Sequence, residues 1–298
     1  EALLGHTFTL TTGADTFVGG ASADVFNALT VKADGGAATT LSAFDSIDGG
    51  AGNDTLNIYS DYKAGAPDTG NNRGLNGATV KNVETINIYN TNDGFGNVDA
   101  SKFVGATAIN QVNVAGTVSN LAAGTVAGFN AIAAGALNVT AAAAAATAAV
   151  SLTNVDDATS LTVAGDALNA VTITGNVVDA AANGVDPVQL TVNAGKTVES
   201  VTINTAVASD LTVSNVVGST KTVSSVDASA GTGSIAFNVD SVATPTGVGA
   251  AAAVATLKTG AGNDLVGLST ELTSTVKAAS VSTGAGDDRL FVNVDATN

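Results

Sequence analysis

The sequence predicts an all-β protein, a parallel β-solenoid of short strands and Gly/Asp-rich turns, and three observations predict it. The first is the stretch Asp45-Ser-Ile-Asp-Gly-Gly-Ala-Gly-Asn-Asp-Thr-Leu-Asn57. Its residues 49–57 fit the nine-residue pattern G-G-x-G-x-D-x-U-x, a repeat of parallel β-helices, through Gly49, Gly50, Gly52, Asp54 and Leu56. The second is a run of short apolar–Thr–apolar segments from position 136 onward, spaced at about ten residues. The third is composition: no Cys, Met or Trp, with nine Phe and three Tyr in 298 residues. A core with so few large aromatics must be thin, which suits a solenoid better than a thick sandwich.

The chemistry of the nonapeptide is that of a calcium-binding turn. Glycines permit the positive φ of a tight turn and let carbonyl oxygens converge on a cation. The aspartate adds charge at the end of the turn, and the apolar residue two positions on points from a short strand into the core. Calcium takes about six to eight oxygens, more than one turn offers, so it is expected between stacked turns. Nine residues before Asp54 stands Asp45, followed by Ser46-Ile47. The same step recurs near the N-terminus, from Asp15-Thr-Phe17 to Gly19-Gly20-Ala-Ser-Ala-Asp24-Val-Phe26-Asn27. Two nonapeptides make one coil, so the turn of Asp15 should stack on that of Asp45, and the turn of Asp24 on that of Asp54. The segment between, roughly 28–40 with Asp34-Gly-Gly36, should loop out of the coil. Gly/Asp turns also form without metal, and the N-terminal pair is degenerate, with Ser22 in place of a glycine.

Along the chain, Asn57-Ile-Tyr59 leads into a polar loop over about 60–78. Val83-Glu-Thr-Ile-Asn-Ile-Tyr89 and Gln111-Val-Asn-Val114 read as strands. Regular units follow at Leu161-Thr-Val163, Val171-Thr-Ile173, Leu190-Thr-Val192, Val201-Thr-Ile203 and Leu211-Thr-Val213, with an inserted loop from Asp179 to Pro187. Val223–Val226 and Ile235–Val239 continue the series. Period-two alternation turns Leu161, Val163, Val171 and Ile173 inward and the middle threonines outward. The alanine run 141–149 suits either a short helix or an extended strand. Motif turns return at Thr259-Gly-Ala-Gly-Asn-Asp264 and Thr283-Gly-Ala-Gly-Asp-Asp288, each with Thr for the first glycine and with their last aspartates 24 residues apart. That is one enlarged coil, which stacks the two turns on one edge. The candidate metal residues are therefore Asp15, Asp24, Asp45, Asp48, Gly49, Gly50, Gly52 and Asp54 at one end. At the other they are Gly260, Gly262, Asp264, Gly284, Gly286 and Asp288. The expected segments are 1–60 and 256–298, both calcium-turn regions, flanking a Thr/Val/Ala-rich solenoid over 61–255.

Composition narrows function. Ten basic against 26 acidic residues give a net charge of −16, which argues against nucleic acid or an anionic membrane as direct partner. Only 12% of residues are charged and 45% are apolar in a strong pattern, so the charge does not signal disorder. The absence of cysteine removes disulfides and thiol catalysis. A single histidine, His6 in a terminal segment, leaves a Ser-His-Asp system without a base and a zinc site without imidazoles. A paired-carboxylate hydrolase remains compatible with the many acids, although calcium accounts for them better. No stretch of about twenty apolar residues suggests a membrane span. No cleavable signal peptide is evident, and the start at Glu1 suggests a piece of something longer.

With these residues in view, the chain resembles RTX-containing surface-layer (S-layer) proteins of Gram-negative bacteria, of the Caulobacter type. The resemblance rests on Phe8-Thr-Leu-Thr-Thr-Gly-Ala-Asp-Thr-Phe17, Asp24-Val-Phe-Asn27, Asp48-Gly-Gly-Ala-Gly-Asn-Asp-Thr-Leu-Asn57 and Val80-Lys-Asn-Val-Glu-Thr-Ile-Asn87. It covers about the first 115 residues with ordered motifs. It implies an RTX β-roll, type I secretion, folding on extracellular calcium, self-assembly into a lattice on the cell surface, and anchoring to lipopolysaccharide through a part outside this chain. The competing readings are the solenoid spacer of an RTX adhesin and the C-terminal part of a secreted enzyme. Rows of Thr162, Thr172, Thr191, Thr202 and Thr212 would also suit an ice- or polysaccharide-binding face, though β-branched stacking on a solenoid explains them without a ligand. Inter-subunit calcium would draw on loop residues such as Asp61, Asp68 and Asp93.

Overall fold

Among the described residues the chain alternates between a common sheet and the opposite side of a thin core, and the coil between Thr85–Asn90 and Ala108–Val112 places two short strands on that opposite side. The computed structural model describes residues 4–33, 36–60, 77–90, 97–156, 158–178, 188–194, 200–205, 209–215, 225–238, 256–271 and 280–295. One sheet of 12 parallel strands runs from Thr7–Thr9, Val25–Ala28, Thr55–Ser60 and Thr85–Asn90 through to Ser280–Ser282. Across the core lie two shorter sheets. One has four strands, Thr16–Val18, Ser46–Asp48, Thr79–Lys81 and Phe103–Val104. The other has nine, from Asn97–Asp99 and Thr117–Leu121 to Arg289–Asp295. The repeating strands predicted at Leu161, Leu190 and Leu211 fall on the nine-stranded sheet, and those at Val171 and Val201 on the twelve-stranded one. This is the parallel β-solenoid that the short alternating strands predict.

Side-chain alternation makes the core a set of columns parallel to the solenoid axis. One runs from Phe26 and Leu56 through Ile86, Ile109 and Ala127 to Val150, Ile173 and Ile203, each in register with the next. All eight are essentially inaccessible. Burying an Ile or Leu side chain this fully contributes about 1.5–3 kcal/mol. Coil length varies because surplus residues leave at the edges. Residues 30–39 leave as the antiparallel hairpin Thr30–Ala33 with Gly36–Thr39, closed by Thr40 N–H donating to Leu29 O, as the spacing of the motifs predicts.

One alternative left open by the sequence is settled, and two readings change. The alanine run forms no helix: strand Gly135–Ala141 ends in it, a turn follows, and strand Thr147–Asp156 begins in it. Small side chains fit there because Ala141, Ala145 and Ala148 are buried against the core. The only helical element among the described residues is a 3-10 turn, Ala100–Lys102. The strand read at Gln111–Val114 is instead Ala108–Val112, ended by Asn113 at φ 74°. A buried Gln111, between Ile88 and Phe129 in register, disguised its inward face. His6 is also no free terminal residue, since its N–H and Nδ1 both meet the Asp24 carboxylate. Residues 61–76, 91–96 and 179–187, with Asp61, Asp68 and Asp93, lie outside the described residues. The threonine rows divide between sheets: Thr172 and Thr202 are paired on one, and Thr162, Thr191 and Thr212 on the other. They therefore make no single face.

Candidate calcium-binding turns

At the N-terminal end the chain passes from the four-stranded to the twelve-stranded sheet through turns 19–24 and 49–54, which stack. Strand register pairs Val25 with Thr55, so Asp24 and Asp54 share one column, 30 residues apart. Gly50 and Gly52 have φ of 91° and 139°, a backbone that only glycine adopts without strain. Each acid reaches one coil back. Asp24 Oδ1 accepts from His6 N–H, Asp54 Oδ1 from Asp24 N–H at 2.7 Å, and a Glu84 carboxylate oxygen from Asp54 N–H at 2.7 Å. Glu84, third rung of this ladder, fits no motif because its turn 81–84 has no glycine. The step of 30 residues from Asp54, equal to that from Asp24, was the signal for it.

The opposite edge carries a second pair. Asp15 N–H donates to Asp45 Oδ1 at 2.8 Å, as the turn spacing predicts, and Thr16 pairs with Ser46. Both carboxylates are already engaged: Asp15 by Thr11 N–H and hydroxyl, Asp45 by Ser42 N–H. Asp48 stands apart from the ladders. Its carboxylate meets Lys81 Nζ at 2.8 Å and accepts from Asn82 Nδ2 at 2.8 Å. Those two partners hold its pKa below the ordinary value.

The electrostatics of the first column are unequal. Amides of His6 and Gly20 hold the Asp24 carboxyl below its usual range. Burial pushes Asp54 upward, with the Glu84 and Asp24 charges adding to the effect against one favourable amide. A stacked acid whose environment disfavours its charge is one that a cation would stabilise. The donor set agrees. Among the described residues, three buried side-chain oxygens accept no hydrogen bond, and two of them are Asp54 Oδ2 and Asp264 Oδ2, both at the motif aspartate. A Cβ placed on Gly49 would run into both Asp54 Oδ2 and the Asn82 carbonyl, so these oxygens crowd the same turn. No three acidic or histidine side chains come together among the described residues, so a cation here must take backbone carbonyls as well. Carbonyl-rich, all-oxygen coordination suits calcium.

The C-terminal turns 259–264 and 283–288 stack on the edge leading into the nine-stranded sheet. Asp264 N–H donates to Asp288 Oδ1 at 3.0 Å, 24 residues away, and Ala285 N–H to Gly260 O at 2.9 Å. Gly284 and Gly286 have φ of 77° and 139°, close to the values of the N-terminal motif turn. Gly262 faces Gly286 in the same stack.

Beside these turns, the twelve-stranded sheet carries an asparagine ladder that no sequence motif marks. Asn57 donates to Asn27, Asn87 to Asn57 and Asn110 to Asn87, at 3.0, 3.0 and 2.8 Å. The recurring asparagine in register, three positions beyond each turn acid at Asn27, Asn57 and Asn87, was its sequence signal.

Comparison with known families finds the RTX calcium-binding nonapeptide repeat at residues 7–29 and 40–57. The gap between the two matched segments is the extruded hairpin. The chain thus contains an RTX repeat segment folded as a parallel β-roll, and such repeats are calcium-binding motifs. No curated protein matches the chain significantly.

Proposed function

We propose that this chain is a calcium-stabilised structural element of a bacterial surface layer, secreted and assembling with copies of itself outside the cell. The observation that carries the calcium role is the buried, unpartnered carboxylate oxygen in stacked motif turns at each end, Asp54 Oδ2 and Asp264 Oδ2. Binding energy gained there becomes folding energy, because the converging carbonyls exist only when the coils are stacked. The external setting is supported by the RTX repeats, which are typical of secreted proteins. A structural rather than catalytic role is supported by the use of the ladder acids, which are aimed at backbone amides of the adjacent coil.

The test is a calcium titration of the purified chain, followed by far-UV circular dichroism, light scattering and electron microscopy of negatively stained samples, with EDTA reversal. Calcium-driven gain of β structure together with ordered sheets or large assemblies supports the surface-layer reading. Folding to a monomer alone transfers the role to a spacer in an adhesin or secreted enzyme. Identical folding in EDTA without calcium uptake refutes both.

A further inference from the structure

Where the strands that follow Asp54 and Glu84 end, two tyrosines stand on the outer face of the twelve-stranded sheet. Alternation puts them there: Ile58 and Ile88 are buried in the core, so the next residues, Tyr59 and Tyr89, point outward. Strands Thr55–Ser60 and Thr85–Asn90 are parallel and pair Tyr59 directly with Tyr89, and Ser60 is still paired with Asn90 beyond them. Two positions earlier, the 3.0 Å bond from Asn87 to Asn57 pins the same register. The rings therefore stack, with centroids 4.8 Å apart and planes 9° from parallel. The stack is a pair rather than a ladder. Val112 takes the place after Tyr89, and strand Val25–Ala28 ends before it reaches Tyr59.

The pair is open to a reagent. Tyr59 is 37% exposed, and Tyr89 is partly buried. The chain has no Cys, Met or Trp, the side chains that would otherwise take up oxidising equivalents first. Its third tyrosine, Tyr62, lies outside the described residues. Burial and the neighbouring Tyr59 push the Tyr89 phenol up, so it is protonated at neutral pH and loses its proton together with the electron when oxidised. Two phenols held in register on adjacent coils need no diffusional encounter before they react with each other.

We propose that Tyr59 and Tyr89 form an oxidative cross-linking site, a dityrosine staple between adjacent coils, made by hydrogen peroxide through a haem peroxidase. Each phenol O–H gives up one hydrogen atom, a proton and an electron. The two phenoxyl radicals then couple, as the rings turn out of parallel, through the ring carbons ortho to oxygen, and one C–C bond forms. The hydrogens on those two carbons move to the oxygens and restore both phenols. The two hydrogen atoms removed reduce one peroxide to two waters, so the protein loses two electrons and the peroxide gains them. The bond ties together the ends of segment 59–89 and restricts the unfolded chain as a disulfide does, in a protein with no cysteine to form one. Once formed, it does not depend on any bound cation.

The test treats the dilute, purified chain, folded in calcium, with a plant haem peroxidase and hydrogen peroxide. Products are followed by dityrosine fluorescence and by peptide mapping with mass spectrometry. Expected is a monomeric product lighter by two hydrogens, with one pair of peptides joined through Tyr59 and Tyr89. Tyr59→Phe and Tyr89→Phe should each abolish it, while Tyr62→Phe leaves it in place; phenylalanine keeps the ring and hence the stack. In the cross-linked chain the amides of 55–60 and 85–90 should exchange about tenfold more slowly than in the untreated chain in the same buffer. In the unsubstituted chain, cross-links that only join separate molecules, cross-links that run through Tyr62, or oxidation without coupling would each overturn the site. Unchanged exchange after coupling would overturn the staple. None of these outcomes bears on the calcium-binding reading, which the titration decides separately.

Discussion

One column of the solenoid solves the same packing problem in two ways. At the N-terminal end, the position just before each strand of the twelve-stranded sheet holds Asp24, Asp54 and Glu84. Followed coil by coil, the same position passes through Thr107 and Thr125 to Ala148, Val171, Val201, Val226 and Leu257. Asp24, Asp54, Ala148, Val171, Val226 and Leu257 are all buried. The acids reach an adjacent backbone amide and leave a charge to be balanced; the apolar residues only exclude water. The difference teaches that the fold tolerates a charged edge where a cation can be recruited, and that its middle stands without one.

The largest effect should come from the apolar middle. Ile173→Ala should cost about 2–5 kcal/mol by urea unfolding, as for other large-to-small core substitutions, and by the same amount in calcium and in EDTA. A calcium-dependent penalty at this site would erase the distinction between the regions. Next comes the metal itself. Removing calcium from a site held at a hundredfold excess over Kd should withdraw about 2.7 kcal/mol, visible as faster amide exchange at 49–54 while 147–156 is unchanged.

Asp54→Asn sharpens the comparison because its sign should reverse. Without calcium, the variant removes a buried charge that burial and two neighbouring acids disfavour, so it should be more stable than the parent at pH 7. A raised folded-state pKa means that Asp54 favours folding only at low pH and opposes it as the pH rises through that value. In calcium the order should invert, by about 1–3 kcal/mol, because the ligand is lost. Equal shifts in both buffers would show that Asp54 does not meet a cation.

Gly128→Ala tests the ladder where it ends. Asn110 Oδ1 lies over Gly128, which is in register with Asn110, and an added Cβ would collide with it. The cost should be about 1–3 kcal/mol, with loss of the Asn87–Asn110 bond seen by side-chain amide NMR. The smallest effect is expected at Asp99. Burial opposes its charge, but hydrogen bonds from Asn120 and Ser101 outweigh that and lower its pKa. Its contribution is present above the unfolded carboxyl value, roughly 4, and is lost as the pH falls through the lower folded value. Asp99→Asn should therefore flatten the acid end of a thermal-stability profile and change little at pH 7.

The strand period, the turn positions and the pairing of Asp15 with Asp45 and Asp24 with Asp54 were legible in the sequence. Local chemistry sets each of them: alternation sets faces, glycine sets turns, and equal spacing sets register. The hairpin at 30–39 was legible for the same reason, since residues beyond the coil length must leave the stack. Tertiary structure alone decided which side chain each turn acid would meet. Asp48 looks like a motif residue, yet Lys81, 33 residues on, lies within 2.8 Å of it. Glu84 looks like no motif residue, yet stacking places it on the ladder. A solenoid brings residues together at separations fixed by coil length, and here coil length varies with every loop at the edge, so these contacts follow from the packed coils and not from any local run of residues.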